Sequence, residues 1–401
     1  VTLEDKLQML GGLDALYDSE GTSVARLPRI RKAPTGGIFY AQTGGGRCMP
    51  LLRVLMTNVC ENDCRYCSIN CHRSVRRTAF KPEELARLFM DMLRSRLVRG
   101  LFLSSGVAGG ATKTAERMLT AVEILRQREG FTGYIHLKIM PGQPADYIER
   151  AVTLADRVSV NLEAATPEHL GRIAPKKSYD LLLPPMAEVQ RLQQRHPELL
   201  RAGQITQLVV GAAGESDQCV MQTADELYDR YSLRRVYYSG YSPVCGEVLA
   251  PPVPPLRQHR LYQADWLLRF YGFVFAELPF QGDGSLPREA DPKAAWALLH
   301  PERFPVEVNQ AAYDELLRVP GIGPVSAKRI LALRAELTFR DLRDLSRLGV
   351  AVKRARQFVL LDGRYLGDRL LAERPTPVRD LSPVQLSLWS DEIPLLEPVA
   401  A

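Results

Sequence analysis

Leu51-Leu52-Arg53-Val54-Leu55-Met56-Thr57-Asn58 runs directly into Val59-Cys60-Glu61-Asn62-Asp63-Cys64-Arg65-Tyr66-Cys67. The first half is a short apolar run suited to a buried strand. The second half places three thiols on one loop with the spacing C-x3-C-x2-C. Three thiolates so spaced can each take a different iron of a cubane cluster, which leaves the fourth iron open to a substrate. The alternative is a zinc site completed by Cys71 and His72. Five of the seven cysteines lie between Cys48 and Cys71. An odd, clustered set in a long chain argues for metal binding over a disulfide framework.

Outward from this loop, apolar runs alternate with helical stretches. Residues 82–96, 115–129, 144–154, 185–195 and 223–230 have helical patterning. Residues 100–104, 134–140, 158–162, 205–210 and 235–239 are strand-like. With the strand before the cysteines this makes six, and strands alternating with helices predict a parallel sheet curled into a partial (β/α)6 barrel. Catalytic groups in such folds gather at the carboxyl ends of strands, where the three cysteines fall.

The C-x3-C-x-aromatic-C pattern, with Tyr66 in the aromatic place, resembles the radical S-adenosylmethionine (SAM) superfamily over about residues 50–245. The resemblance implies a [4Fe–4S] cluster on Cys60, Cys64 and Cys67, with SAM on the open iron. One electron from an external reductant would cleave SAM to a 5′-deoxyadenosyl radical. Ser104, Ser105 and Gly106 stand where the family has Gly-Gly-Glu facing the methionyl amino group. Asn161 and Glu163 occupy the place of its ribose and carboxylate contacts, and the segment from Gly211 to Glu215 that of its adenine-side loop. Cys48 and Cys71 flank the motif as candidates for a hydrogen donor or a further ligand.

Beyond residue 250, Pro251-Pro252-Val253-Pro254-Pro255 reads as a stiff connector, and residues 259–271 as a helix. The stretch Leu316-Leu317-Arg318-Val319-Pro320-Gly321-Ile322-Gly323-Pro324-Val325-Ser326-Ala327-Lys328-Arg329-Ile330 resembles the helix-hairpin-helix DNA-binding motif. Gly321 and Gly323 suit a tight turn that lets backbone N–H groups approach a phosphate. Ile322 points inward, and Lys328 and Arg329 add charge. A shift of 28 residues matches this stretch to Gly349-Val350-Ala351, Ala355, Arg356 and Phe358, which predicts an all-α tandem unit. A protein-binding hairpin is the alternative. Gln385-Leu386-Ser387-Leu388-Trp389 resembles the peptide by which bacterial repair proteins dock on the sliding clamp.

The net charge of +6 is modest, but residues 311–368 hold 11 Lys and Arg against 7 Asp and Glu. Arg26, Arg29, Arg31 and Lys32 form a second basic run; Arg73, Arg76, Arg77 and Lys81 form a third. Three such runs favour a polyanionic partner. The expected organisation is a basic extension at 1–47, the barrel at 48–250, a connector and helix at 251–310, the hairpins at 311–368 and a tail at 369–401. With no long apolar segment and no charged-then-apolar start, a soluble cytoplasmic protein is expected. Barrel, hairpins and tail together resemble bacterial radical SAM proteins assigned to DNA repair or modification. The expected partner is duplex DNA gripped by its backbone, with Arg73, Arg76, Arg77, Lys176 and Lys177 as further contacts. Structured RNA as substrate, or a cluster-bearing redox-sensing scaffold without turnover, are the other readings.

Overall fold

A computed structural model describes residues 1–11, 37–43, 47–243 and 248–367. They gather into two compact units, Val1–Glu215 with Glu226–Val253, and Ser216–Asp225 with Pro254 onward. The basic run at 26–32 and the peptide Gln385, Leu386, Leu388 and Trp389 lie outside the described residues.

The first unit opens with α1 (Leu3–Leu10), closed by a reciprocal cap between Thr2 and Asp5. Then come β1 (Ile38–Thr43), β2 (Arg47–Leu55), α2 (Pro82–Arg94), β3 (Gly100–Ser104), α3 (Gly110–Glu123) and β4 (Tyr134–Lys138). They are followed by α4 (Ala145–Leu154), β5 (Arg157–Ser159), α5 (Pro167–Ile173), α6 (Tyr179–Arg195), β6 (Gly203–Val210), α7 (Asp217–Tyr231), whose residues 217–225 fall in the second unit, and β7 (Arg235–Gly240). The strands lie in chain order in one curled half-barrel sheet. β2 to β7 are the six expected parallel strands, and β1 adds an antiparallel edge on β2. Every residue of β3 is buried, because helices cover a parallel sheet and its strands become continuous apolar runs. α2 shows the matching helical pattern, with Leu85, Ala86, Phe89, Met90 and Met92 buried on one side.

The clearest departures from expectation are in α5, α6 and β5, while α7 also starts six residues before the expected 223. α6 starts six residues before residue 185, carrying Pro184 and Pro185 inside it, and α5 has no counterpart in the predicted pattern. The strand expected at 158–162 pairs regularly only over Arg157–Ser159. Ser159 pairs with Ile205, whereas Glu163 bridges Leu208. Four steps on one strand thus face three on the other, and the extra residue forms a bulge. Within it the Leu162 N–H donates to Thr206 Oγ1 at 3.0 Å instead of to a backbone carbonyl. Bulges re-aim side chains beside active sites.

The second unit contains α8 (Pro255–Phe270), α9 (Pro292–Leu299), β8 (Val306–Glu307), α10 (Tyr313–Arg318), α11 (Pro324–Leu333), α12 (Leu342–Arg347), α13 (Val352–Ala355), β9 (Val359–Leu361) and β10 (Arg364–Tyr365). The unit is helical as expected, and β8, β9 and β10 add a small three-stranded sheet that the sequence reading did not include. Val359 and Leu361 bury into the same core as Leu316, Ile322, Ile330 and Phe339, with the half-buried Leu360 between them, the alternation of a strand. The two hairpins, α10–α11 and α12–α13, stand back to back. The Gly321 carbonyl accepts the Ala351 N–H at 2.9 Å, and Arg329 Nη1 donates to the Leu348 carbonyl at 3.2 Å. Gly321 has φ +91°, and a Cβ there would lie 2.6 Å from the Ala351 carbonyl oxygen. Both facts demand glycine.

Among the described residues no helix is long and apolar enough to cross a membrane.

Candidate functional site

The cysteine loop leaves the sheet past the carboxyl end of β2, and side chains are staked into it from below. Asn58 Nδ2 donates to the Arg76 carbonyl at 2.8 Å while its Oδ1 accepts the Thr78 N–H at 2.7 Å, closing the loop at its base. Arg77 donates through Nη1 to the carbonyls of Asn58 and Ile69, and through Nη2 to those of Asn70 and Arg73. Its expected role as a phosphate contact is therefore corrected: every one of these bonds folds the loop. Arg73 also turns inward, donating to the Arg65 carbonyl at 3.3 Å. Arg76 is exposed. Within the loop, the Cys67 N–H and Asn70 Nδ2 both donate to the Cys64 carbonyl, at 3.0 and 3.1 Å.

Cys60, Cys64 and Cys67 line one pocket together with Tyr66, Ser104, Ser105, Gly106, Asn161 and Glu163. The structure thus brings together, at the strand ends, the residues expected from β3 and β5. Gly106 is needed for contact with the loop: a Cβ there would lie 2.3 Å from the Val59 carbonyl oxygen and 3.2 Å from Cys60 Cβ. Gly106→Ala is expected to push the cysteine loop outward and destabilise the fold by about 1–3 kcal/mol. Iron bound per chain after anaerobic reconstitution measures the displacement; wild-type loading together with wild-type stability would refute it.

Lys138 and Lys177 also line the pocket. Lys177 Nζ lies 2.8 Å from Glu163 Oε1, and both side chains are at most 10% exposed. Lys177, expected as a DNA contact, is thereby corrected to a buried ion pair. Burial pushes the Glu163 carboxyl up, but Lys177 and Lys138 outweigh it and hold it below the usual value. Tyr66 donates its hydroxyl to the same carboxylate, and burial together with that negative charge drives the phenol well above its ordinary value. Burial also raises the Cys64 thiol, against the pull of Lys177. Glu163 adopts φ +69°, costly for a residue with a Cβ and a mark of functional sites. Lys138, the last residue of β4, had a legible signal in a charge ending an apolar strand. The pairing of Lys177 with Glu163 had none, since the two meet only through the bulge.

Other expectations fall outside the pocket. Cys48 is exposed at the start of β2, while the cysteine loop follows the strand's far end. Seven residues of strand span about 23 Å, so Cys48 is corrected to a residue with no part in the site. Cys71 does not line the pocket; its N–H donates to the Asn62 carbonyl at 2.9 Å and its Sγ lies 3.8 Å from Lys176 Nζ. Glu215 folds its own loop, accepting the N–H groups of Gly211 and Ala213. Neither Gly211 nor Glu215 is among the residues lining this pocket, and the bonds that Glu215 makes fix its own loop.

The donors fit a cubane. Cys60, Cys64 and Cys67 are free thiols, and two lysines offset the negative charge of three thiolates and a carboxylate-bearing ligand. Among the described residues no three of His, Cys, Asp and Glu converge as ligands of a single ion. Cys71 and His72 do not line the pocket with the three thiols, and a cubane takes each thiolate at a separate iron.

In the second unit Gly321 and Gly349 both take left-handed backbone, at φ +91° and +85°. Ala351, in place of a second glycine, has φ −75°, which any residue adopts. Ile322 is buried, Gly323 is half-buried, and Lys328 and Arg329 are exposed. Arg356 is half-buried, behind a single four-residue helical turn, α13.

Residues 54–227 match the family model of the Radical SAM superfamily, and residues 303–351 match that of the helix-hairpin-helix motif. The chain therefore carries a radical SAM domain followed by a helix-hairpin-helix motif, and the radical SAM family uses a [4Fe–4S] cluster and SAM. Among solved structures it is similar to HydG, a maturase of the [FeFe]-hydrogenase, at 13% identity and TM-score 0.42, over 54% of this chain and 48% of that one. The same maturase from Carboxydothermus hydrogenoformans matches at 17% and 0.43, over 54% and 51%. Methylornithine synthase matches at 14% and 0.42, over 67% and 68%. The chain spans about half the length of the two maturases. No curated protein matches.

Proposed function

We propose that this chain is a radical SAM enzyme acting on a nucleotide of duplex DNA. The observation that carries the reading is the pairing, in one chain, of a three-thiol pocket at the strand ends with glycine-turned hairpins. Cys60, Cys64 and Cys67 would hold the cluster, which would supply the external reductant's electron for cleaving the C5′–S bond of SAM, with methionine as leaving group and hydrogen abstraction from the substrate as the resulting chemistry. The protein's own groups bind and orient. Lys138 and Lys177 offset carboxylate charge, Asn161 and the Glu163–Tyr66 pair offer polar contacts to a nucleoside, and the backbone around Ser104 and Ser105 faces the amino group.

Helix-hairpin-helix turns grip phosphates without reading bases, so binding should weaken steeply with salt. A target atom inside a stacked duplex is out of reach, and the base would be extruded. Lys328, Arg329, Arg356 and Arg76 are the basic residues assigned to the backbone. An external one-electron reductant completes the system, and the Gln385–Trp389 segment is assigned to a sliding clamp.

The test is anaerobic turnover with SAM, dithionite and an oligonucleotide deuterated at its sugar and base carbons. Deuterium arriving in 5′-deoxyadenosine supports the reading and names the attacked carbon. Transfer only from RNA moves the substrate to structured RNA. Absence of 5′-deoxyadenosine with every nucleic acid leaves a redox-sensing scaffold.

A further inference from the structure

The peptide unit joining Ile322 to Gly323 sits at the tip of the first hairpin, and its carbonyl is claimed from outside the motif. Lys293, on α9, donates from Nζ to the Ile322 oxygen at 2.6 Å. The matched motif begins only at residue 303. Lys293 is 6% exposed, and its Nζ lies 4.5 Å from the centroid of the Tyr271 ring. Burial, reinforced by Arg354 and Arg318, pushes its ammonium well below the ordinary lysine value. An amine so buried is costly unless a specific partner requires it. A methionine would fill much of the same volume without that cost.

The surrounding carbonyls are tied as well. Val319 O accepts the Ile322 N–H at 3.1 Å, Gly321 O the Ala351 N–H at 2.9 Å, and Gly323 O the Ala327 N–H at 2.8 Å. The Gly323 N–H finds no acceptor among the described residues. A peptide unit is planar and trans, so its C=O and N–H point in opposite directions. Holding the Ile322 oxygen inward on Lys293 therefore turns the Gly323 N–H outward. The first turn of α9 is itself anchored: Asp291 caps it by accepting the Ala294 N–H at 3.3 Å and pairs with Arg354 of the second hairpin.

We infer that Lys293 is a positioning residue of the first hairpin, which, by holding the Ile322 carbonyl, presents the Gly323 N–H to a phosphate oxygen. The inference rests on the duplex reading above. Lys293 acts through geometry, and the salt dependence of binding separates that role from a direct charge contact. In the full chain, Lys293→Met is expected to weaken duplex binding about tenfold, the effect of one hydrogen bond to a charged acceptor. Its salt slope should stay that of the wild type, because no phosphate-neutralising cation is lost. Lys328→Ala, by contrast, should lower the slope by about one. Affinity within twofold of wild type, or a slope lowered by about one in Lys293→Met, overturns the inference. Should that variant fail to melt cooperatively, hydrogen exchange on the wild-type chain decides. Duplex is expected to protect the amides of Gly321, Ile322, Gly323 and Val325, and their unchanged exchange overturns it. A wild type that does not bind duplex at all overturns the parent reading, and that result appears without any variant.

Discussion

Cys64→Ala is expected to abolish formation of 5′-deoxyadenosine. Cys64 is the most deeply buried of the three motif thiols, at 6% exposure, and its own carbonyl is the hub on which the Cys67 N–H and Asn70 Nδ2 converge. Substitution at the side chain leaves that backbone hub intact and removes one of three iron ligands. Production of 5′-deoxyadenosine from SAM and dithionite should fall to the background of protein-free controls. Thermal melting of the iron-free chain should stay near that of the wild type, because the small apolar replacement suits a buried position. Retained turnover in this variant would remove Cys64 from the ligand set.

Lys177→Met should destabilise the fold by about 3–5 kcal/mol, the loss associated with stripping one partner from a buried ion pair. Glu163 then keeps only Lys138 and the Tyr66 hydroxyl, and the change should be read as a shift in urea midpoint at neutral pH. Adding Glu163→Gln should restore much of it, because no uncompensated charge remains. The pH dependence gives a second readout. In the wild type the Glu163 carboxyl is held below its ordinary value of 4.5, so the folded state binds this proton less readily than the unfolded chain. Its contribution is complete above that ordinary value and is lost as pH falls through the lower, folded value. In Lys177→Met the carboxyl loses its largest lowering partner, keeps Lys138 and Tyr66, and moves up from its wild-type value. The penalty is then absent at acid pH and grows as pH rises through the raised value. A variant equally destabilised at acid and neutral pH would remove the ion pair as the cause.

Much of this molecule was legible because its signals are local. Six parallel strands followed from apolar runs alternating with helical stretches, and the cysteine loop follows the first of them. The back-to-back hairpins followed from a 28-residue repeat centred on glycines, and both lead glycines have positive φ. What was not legible depends on residues distant in sequence meeting in space. Arg77, read as a surface charge, is drawn under the loop by carbonyls that only the folded loop points toward it. The small β8–β9–β10 sheet joins residues either side of the hairpins and has no periodicity long enough to announce itself.

The chain's sequence alone determined two local features: three thiols at C-x3-C-x2-C, presented where a strand ends, and hairpin turns led by glycines. Thiol spacing and glycine backbone freedom belong to a few consecutive residues, so no tertiary contact is needed to read them. Tertiary structure decided which charges serve those sites. A one-residue bulge beside β6 carries Glu163 into the pocket, where Lys177 meets it. A lysine from α9, 29 residues from Ile322 in the chain, sets the direction of one peptide unit. Pairings of this kind are set by register and packing, which arise only when separate segments of chain are brought together.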